Sequence, residues 1–295
     1  MKEIVVISGK GGTGKTSLLA SFAILADSPV LADCDVDAAD LHLILQPAIE
    51  ERHAFVSGHE ARVLQDICNS CGACLNLCRF DAIKEISQED AKSLFEVDPH
   101  SCEGCGVCVA FCPLKAVAFE DRTCGEWMVS STRAGPMVHA KLGIAAENSG
   151  KLVSTVRENA IRLAKENNKD LILVDGPPGT GCPVIASISG ASAVVVITEP
   201  TLSGAHDLQR VLELTRHFCI PAHVCVNKWD ICPTMTEEIE ALATSQNATI
   251  LGRIRYDKGV TCAQTQFLSV VETQTPSADD IVRIWQKLQQ QPAFS

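Results

Sequence analysis

The sequence predicts an α/β protein with a doubly wound, mostly parallel sheet and a cysteine-rich insertion. Short apolar runs that end on a polar or acidic residue alternate with helical patterns, as expected for parallel strands joined by helices. The first run leads into a glycine-rich loop and then an apolar helix. Residues 59–121 interrupt this alternation with eight regularly spaced cysteines. These three observations define the fold class.

The N-terminus carries a phosphate-binding pattern. Residues 2–8 predict a short buried strand, and residues 17–26 predict a helix. Between them, the G-x4-G-K-[ST] pattern is matched by Gly9, Lys10, Gly11, Gly12, Thr13, Gly14, Lys15 and Thr16. In such a loop, backbone N–H groups face phosphate oxygens, the second lysine meets the β- and γ-phosphates, and the final hydroxyl binds magnesium. The loop therefore predicts nucleotide binding.

Acidic residues follow two further predicted strands. Residues 30–32 end in Asp33-Cys34-Asp35-Val36-Asp37, and residues 171–174 close on Asp175, followed by a Gly/Pro stretch at 176–181. Asp40 belongs to the first of these segments as well. Carboxylates at strand ends beside a phosphate loop suit magnesium binding and water positioning.

The predicted strands at 193–198 and 224–228 continue the alternation. The second ends in Asn227-Lys228-Trp229-Asp230, which resembles the N-K-x-D motif that reads guanine in GTPases. Asp230 would then accept hydrogen bonds from guanine. GTP therefore remains an alternative to ATP at this point.

The eight cysteines of the insertion form two runs of identical spacing. They are Cys68, Cys71, Cys74 and Cys78, then Cys102, Cys105, Cys108 and Cys112. This is the bacterial ferredoxin spacing, in which the fourth cysteine of each run binds the other cluster. It predicts one 4Fe-4S cluster on Cys68, Cys71, Cys74 and Cys112, and a second on Cys102, Cys105, Cys108 and Cys78. Pro113 follows the pattern, whereas Arg79 replaces the other expected proline.

Zinc and disulfides explain the cysteine runs less well. Four cysteines within eleven residues crowd thiolates more tightly than tetrahedral zinc usually needs. An odd total of fifteen cysteines suits a reducing compartment rather than a disulfide framework. Two 4Fe-4S clusters are the leading interpretation.

The Lys10–Thr16 run resembles the deviant Walker A motif of the MinD, ParA, Mrp and nitrogenase iron protein superfamily. The resemblance implies that Lys10 reaches the phosphates of a partner subunit in a nucleotide-sandwich dimer. It implies that Asp35 holds magnesium through water, that Asp37 orients the attacking water, and that Asp175 supports the magnesium shell. It also favours Mg-ATP over GTP, with Asn227 and Lys228 beside the base. Asp40 is a competitor for the role of Asp37.

The cysteine-rich segment is expected to be an insertion within the nucleotide domain. The predicted boundaries are 1–58 for the first part of that domain, 59–121 for a ferredoxin-like domain, and 122–295 for the second part. With residues 135–140 and 147–153 following the cysteines, the arrangement is similar to MinD-superfamily ATPases that contain an inserted ferredoxin domain.

Composition narrows the choice of location and partner. The net charge of −11 argues against nucleic acid, and no run of 18 apolar residues predicts a membrane span. The chain opens directly on the phosphate loop, so we expect a cytoplasmic protein without a signal peptide. The stripe Ile281, Ile284, Trp285 and Leu288 is expected to pack in the core rather than bind a membrane.

Two groups of residues receive structural assignments at this stage. His139 is a lone histidine and is expected to be structural. Seven cysteines lie outside the two runs, and most are expected to be small buried hydrophobic residues: Cys34, Cys124, Cys182, Cys219, Cys225, Cys232 and Cys262. Cys182 is the exception, since its place resembles that of a cluster ligand in the nitrogenase iron protein.

The leading functional prediction is an ATPase whose dimerisation couples ATP to electron transfer through two clusters to a protein partner. The dimer would be homomeric or formed with a related ATPase. One alternative is an Mrp-like carrier or assembly scaffold that delivers clusters to apo-proteins, although no C-x-x-C pair lies outside the two runs. Another is a MinD-like regulatory switch that senses redox state.

Overall fold

The computed structural model describes residues 1–86, 93–143 and 149–294. Residues 87–92 of the predicted insertion and residues 147 and 148 of the motif that follows it lie outside these ranges. The chain divides into two compact units. The first contains the described residues of Met1–His53, Glu126–Leu142 and Asn148–Ser295, and the second those of Ala54–Gly125 and Gly143–Glu147.

Among the described residues, one sheet has nine strands and a second has two. The strands are β1 (Lys2–Ser8), β2 (Val30–Asp33), β3 (Ala48–Val63), β4 (Ile83–Ile86), β5 (Leu94–Val97), β6 (Val117–Thr132), β7 (Gly135–Leu142), β8 (Leu171–Pro178), β9 (Ala193–Thr198), β10 (Ala222–Asn227) and β11 (Thr249–Ile254). The order in the large sheet is β11-β10-β9-β1-β8-β2-β7-β6-β3. From β11 to β7, every neighbouring pair is parallel. The predicted α/β fold with a mostly parallel sheet is confirmed.

The helices of the described residues are α1 (Lys15–Leu25), α2 (Leu41–Leu45), α3 (Ala73–Leu77), α4 (Val107–Ala110), α5 (Ser149–Glu166), α6 (Cys182–Ile188), α7 (Leu202–His217), α8 (Pro233–Ser245), α9 (Gly259–Thr265) and α10 (Pro276–Gln289). Five of them, α1, α5, α6, α7 and α8, connect successive parallel strands, as the alternating sequence pattern predicts. Short 3₁₀ turns occupy Trp229–Ile231, Val270–Glu272 and Pro292–Phe294. Within the described ranges, no helix combines the length and apolarity needed to cross a membrane.

The core of the first unit lies between the sheet and its helices. β1 and β9 are buried along nearly their whole length, since parallel strands in the middle of a sheet are covered on both faces. The apolar stripe of α10 packs into this core, with Ile284 and Leu288 at most 1% exposed. The ring of Trp285 lies 5.0 Å from that of Phe22. The prediction that this stripe belongs to the core is confirmed.

The second unit is built around a short hairpin and two helices. β4 and β5 pair antiparallel, with Ile83 opposite Val97. The helices α3 and α4 each begin after a glycine with positive φ, Gly72 and Gly106. Apolar side chains of these elements pack against the cysteines of both runs. The long strands β3 and β6 carry the chain into and out of this unit.

The expectation that most of the remaining cysteines are buried is wrong. Only Cys34, Cys124 and Cys225 are buried, and Cys232 is partly exposed. The exposed cysteines are Cys182, Cys219 and Cys262. They lie at the first position of α6, just after α7 and within α9. His139 is buried and shares a hydrogen bond with Ser130 (Nε2 to Oγ, 2.8 Å), consistent with a structural role.

Candidate functional site

The phosphate loop joins β1 to α1 at the carboxyl end of the sheet. Two of its glycines have positive φ, 78° at Gly12 and 93° at Gly14, which glycine adopts without steric cost. At Gly14 space is limiting as well, because a Cβ atom there would lie 2.6 Å from the amide nitrogen of Asn227. These two glycines allow the loop to turn sharply into the N-terminus of α1.

Four side chains form a charge cluster where β1, β2 and β8 end. The Nζ atom of Lys15 lies 2.6 Å from Oδ1 of Asp175 and 3.2 Å from Oδ2 of Asp35. The hydroxyl of Thr16 donates to the other oxygen of Asp175 at 2.8 Å. The parallel strand order brings these residues together, because β8 lies between β1 and β2.

Burial and mutual charge control the ionisation of this cluster. Burial opposes the charge of Lys15, but Asp175 and Asp35 outweigh it and raise the pKa of the ammonium group. Burial raises the pKa of Asp35, against the pull of Lys15. Lys15 therefore remains a cation at neutral pH and is suited to binding phosphate oxygens.

A cavity of about 460 Å³ opens over the side chains of Lys15, Thr16, Asp35 and Asp175. Its lining includes the loop residues from Gly11 to Thr16, together with Asp35 and Asp40. Asp37 is exposed and is not among the lining residues, and its role in orienting water stays a prediction. The structure thus brings Asp35, Asp175, Lys15 and Thr16 together and leaves Asp37 outside the cavity.

A second cavity, of about 230 Å³, shares Gly12 and Gly14 with the first. Asn227 and Lys228 line it, as do three residues that follow β11: Arg255, Tyr256 and Asp257. The amide of Asn227 donates to the carbonyl of Thr13 at 2.8 Å, which ties the end of β10 to the phosphate loop. Two adjoining cavities around one loop suit a ligand with a phosphate chain and a base.

Asp230 is engaged elsewhere. Its Oδ1 accepts a hydrogen bond from the backbone N–H of Tyr256 at 2.7 Å, and it is not among the residues lining the second cavity. The guanine-reading role considered for Asp230 would require its carboxylate to reach the second cavity, which it does not line.

Lys10 points away from the first cavity. Its Nζ atom lies 3.6 Å from Oε2 of Glu199 and within 3.5 Å of the hydroxyls of Thr201 and Ser203. Gly9, by contrast, packs so closely against Asp207 that a Cβ atom at this position would overlap it. Both residues belong to the phosphate-loop motif, but neither lines the phosphate cavity.

The second unit contains two cavities, each bordered by four cysteines. One is lined by Cys68, Cys71, Cys74 and Cys112. The other is lined by Cys78, Cys102, Cys105 and Cys108. In each case three cysteines come from one run and the fourth from the other, because α3 packs against α4.

Backbone groups reach the sulfur atoms of one set. Cys68 Sγ accepts from the N–H of Ser70 at 3.4 Å, and Cys112 Sγ accepts from that of Ala116 at 3.2 Å. Among the described residues, no group of three or more His, Cys, Asp or Glu side chains is arranged to hold a single metal ion. The sulfur atoms border a cavity rather than converge on one point.

Several residues of the site carry no motif and were not found from the sequence. Asp33 is fully buried beside the cluster, accepts from the N–H of Asp35 at 3.2 Å, and leaves Oδ2 without a partner among the described residues. Burial and the charge of Asp175 raise the pKa of Asp33 well above its usual range. The alternating acids at 33, 35 and 37 were a usable signal for it. Gln264, which lines both cavities, had none.

Comparison with known proteins agrees with this geometry. The family described as "CbiA: CobQ/CobB/MinD/ParA nucleotide binding domain" matches residues 4–270. The chain is 32% identical to an uncharacterised protein, MJ0578, of Methanocaldococcus jannaschii over 229 residues, which are 77% of this chain and 78% of the relative.

Solved structures share the fold. The MinC:MinD cell division protein complex of Aquifex aeolicus matches with a TM-score of 0.59 and 17% identity, covering 99% of this chain and 97% of the other. The septum site-determining protein MinD of Pyrococcus horikoshii, complexed with Mg-ADP, matches with a TM-score of 0.56 and 16% identity, covering 98% and 96%. This chain belongs to the CobQ/CobB/MinD/ParA nucleotide-binding family.

Proposed function

We propose that this protein is an ATPase whose ATP-dependent dimerisation controls electron transfer through two 4Fe-4S clusters to a protein partner. One observation carries the proposal: a single chain combines the Lys15–Asp175–Asp35 cluster with two cavities that each have four cysteines. The first feature suits a nucleoside triphosphate, and the second suits iron-sulfur clusters.

The charge cluster supports phosphoryl transfer. Lys15 would hold the β- and γ-phosphates, and Thr16, Asp35 and Asp175 would organise the magnesium ion. The hydroxyl of Thr13, buried in the loop, has no hydrogen-bond partner among the described residues and is a further donor that a phosphate oxygen would satisfy. Since Asp35 lines the cavity and Asp37 does not, Asp35 is also the better-placed carboxylate for orienting water.

The exposed face beside the phosphate loop supports dimerisation. Leu202 is 80% exposed, the largest value among the big apolar side chains of the described residues. It lies between Thr201 and Ser203, the two residues whose hydroxyls contact Lys10. An apolar side chain at this place gains stability when a second subunit covers it. Lys10, on the same face, would then contact the nucleotide of that subunit.

The cysteine cavities fit clusters better than zinc. In a 4Fe-4S cluster each thiolate binds a different iron atom, so four sulfur atoms surround a volume. A zinc site instead needs four ligands at about 2.0 to 2.3 Å from one ion. The apolar lining and the backbone N–H groups donating to Cys68 and Cys112 also match what cluster sites provide. Bound clusters would supply one-electron redox chemistry.

The chain between the two sites supports coupling. Helix α2 follows Asp40 directly and leads into β3, which runs into the second unit. The return strand β6 ends before Arg133, whose guanidinium donates to the carbonyl of Ile44 in α2 at 2.9 Å and to Glu272. Movement of the Asp35–Asp40 segment would therefore act on both strands that carry the chain to and from the cysteines.

Anaerobic reconstitution tests the proposal. We expect about eight iron and eight sulfide per chain, and a 4Fe-4S EPR signal after reduction. Mg-ATP should shift the reduction potential or the EPR spectrum. Transfer of iron and sulfide to an apo-protein on ATP addition would instead establish the carrier alternative. If nucleotide changes neither property, the coupling is absent, and a zinc content without sulfide would exclude clusters.

Nucleotide choice needs a separate measurement. The absence of Asp230 from the lining of the second cavity favours ATP, since a guanine-reading carboxylate would face that cavity. Competition of ATP and GTP for a fluorescent ADP analogue should show tighter binding of ATP. Tighter binding of GTP, together with its loss in Asp230→Ala, would reverse the assignment.

A further inference from the structure

The carboxylate of Glu199 lies between two lysines of the nucleotide site. Its Oε1 is 2.5 Å from Nζ of Lys228, and its Oε2 is 3.6 Å from Nζ of Lys10. The Glu199 side chain is only 15% exposed, so the attraction is less screened than at an open surface. Glu199 therefore forms ion pairs with two lysines, one in the phosphate loop and one at the end of β10.

Lys10 is held on its own subunit by these contacts. The hydroxyls of Thr201 and Ser203 lie 3.5 and 3.4 Å from its ammonium group. Thr201 directly precedes α7, and Ser203 lies in its first turn. The ammonium is directed to this segment and not into the phosphate cavity lined by the rest of the loop. While the contacts persist, Lys10 is unavailable to a phosphate group.

Lys228 connects the same carboxylate to the second cavity. It lines that cavity beside Asn227, whose amide holds the phosphate loop at Thr13. A ligand that moves Lys228 away from Glu199 leaves the carboxylate to pair with Lys10 alone, whereas a Lys228 that stays in contact weakens the Glu199–Lys10 pair. The geometry therefore links occupancy of the nucleotide site to the position of Lys10.

We propose that Glu199 is a positioning residue that restrains Lys10 on its own subunit, and that release of Lys10 is a step in ATP-dependent self-association. The inference rests on the proposed function, in which Lys10 contacts the nucleotide of a second copy. The contact of Glu199 with Lys10 therefore opposes self-association, and Lys228 weakens that contact by competing for the carboxylate.

The direction in which self-association changes when Glu199 loses its charge tests the proposed restraint of Lys10. Glu199→Gln keeps the shape of the side chain and removes its charge. With Mg and adenylyl imidodiphosphate, analytical ultracentrifugation should show self-association about two- to fivefold tighter than wild type, the range expected for losing a partly exposed ion pair. Lys228→Met removes the competing cation, so association should become weaker. Glu199→Asp, which keeps the charge, should lie closer to wild type than Glu199→Gln.

Two further measurements separate a specific effect from a structural one. The affinity of each monomeric variant for Mg-ADP reports whether its nucleotide site is folded. Self-association is compared only among variants that keep the wild-type affinity for Mg-ADP. Lys10→Ala is itself expected to weaken association, so the background comparison uses protein concentrations at which this variant still associates. There, Glu199→Gln should have no effect, because the restrained group is gone. An effect of equal size in that background would overturn the inference.

The inference and the proposed function fail in different ways. If wild type associates with the ATP analogue but Glu199→Gln associates equally or more weakly, the restraint of Lys10 by Glu199 is wrong and ATP-dependent dimerisation is retained. If wild type does not associate with any adenine nucleotide, the dimer is wrong, and the restraint has no role in association.

Discussion

The ammonium group of Lys15 lies 2.6 Å from Oδ1 of Asp175, while the hydroxyl of Thr16 lies 2.8 Å from the second oxygen of the same carboxylate. One buried acid on β8 thus contacts both phosphate-loop side chains expected to bind phosphate and magnesium. Asp175 is fully buried, so its charge is compensated by these contacts rather than by water. The carboxylate fixes the two side chains in positions suited to a magnesium-nucleotide.

The carboxylates of the segment after β2 should differ in importance. Asp35 lies 3.2 Å from Lys15, whereas Asp37 is exposed and outside the cavity. We expect Asp35→Asn to lower kcat for ATP hydrolysis by about 100-fold or more, and Asp37→Asn by less than about tenfold. Steady-state phosphate release measures both. A greater loss in Asp37→Asn would mean that this segment closes over bound nucleotide and brings Asp37 into the site. Asp40→Asn, whose wild-type residue lines the cavity, tests the remaining candidate.

Leu202 should contribute to self-association and not to nucleotide binding. Covering a leucine side chain contributes about 1.5 to 3 kcal/mol, so Leu202→Ser should weaken ATP-dependent association by about tenfold or more. Light scattering at several protein concentrations measures the change, with Mg-ADP affinity as the internal check. Ile231→Ser is a matched control, because Ile231 is 63% exposed but, unlike Leu202, is not adjacent in the chain to the residues that contact Lys10. Equal weakening in both variants would argue against a specific face.

Paired cysteine substitutions should reveal how the cluster ligands are shared. Cys68 and Cys112 border the same cavity, whereas Cys68 and Cys78 border different ones. We expect Cys68→Ala/Cys112→Ala to retain one intact 4Fe-4S cluster, with about four iron atoms and its EPR signal. Cys68→Ala/Cys78→Ala should retain none, since each cavity loses a ligand.

The same two variants distinguish the competing arrangement. If each run of four cysteines held its own cluster, Cys68→Ala/Cys78→Ala would preserve one cluster and Cys68→Ala/Cys112→Ala would preserve none. The outcomes are opposite, so iron content and Mössbauer spectra give a direct answer.

His139 should make stability depend on mildly acidic pH. Burial lowers the pKa of His139 to about 4, so the unfolded chain takes up a proton before the folded chain does. Stability from the neutral imidazole is therefore present above the unfolded pKa of about 6.5 and decreases as pH falls toward 4. Between pH 7.5 and 5.5 the expected loss is about 1 kcal/mol. The free energy of unfolding should fall by this much more in wild type than in His139→Gln, and equal slopes would show that His139 does not contribute.

Local patterns were sufficient to predict the parts of this molecule that depend on few neighbours. The phosphate loop is recognisable because its glycines must reach positive φ, and Lys15 and Thr16 must follow them directly. The cysteine spacing indicated two groups of four, and the structure assembles the same two groups around separate cavities. Strand positions were predictable because buried parallel strands are apolar along their whole length.

Tertiary structure alone decided which distant residues complete the nucleotide site. Strand order brings Asp175 to Lys15, and the chain after β11 brings Arg255 and Gln264 to the second cavity, although neither carries a motif. It also left Asp37 out of the lining of the first cavity and placed Glu199 between two lysines. The physical reason is that a motif fixes the conformation of neighbouring residues, whereas contacts across the sheet depend on how every strand and helix packs.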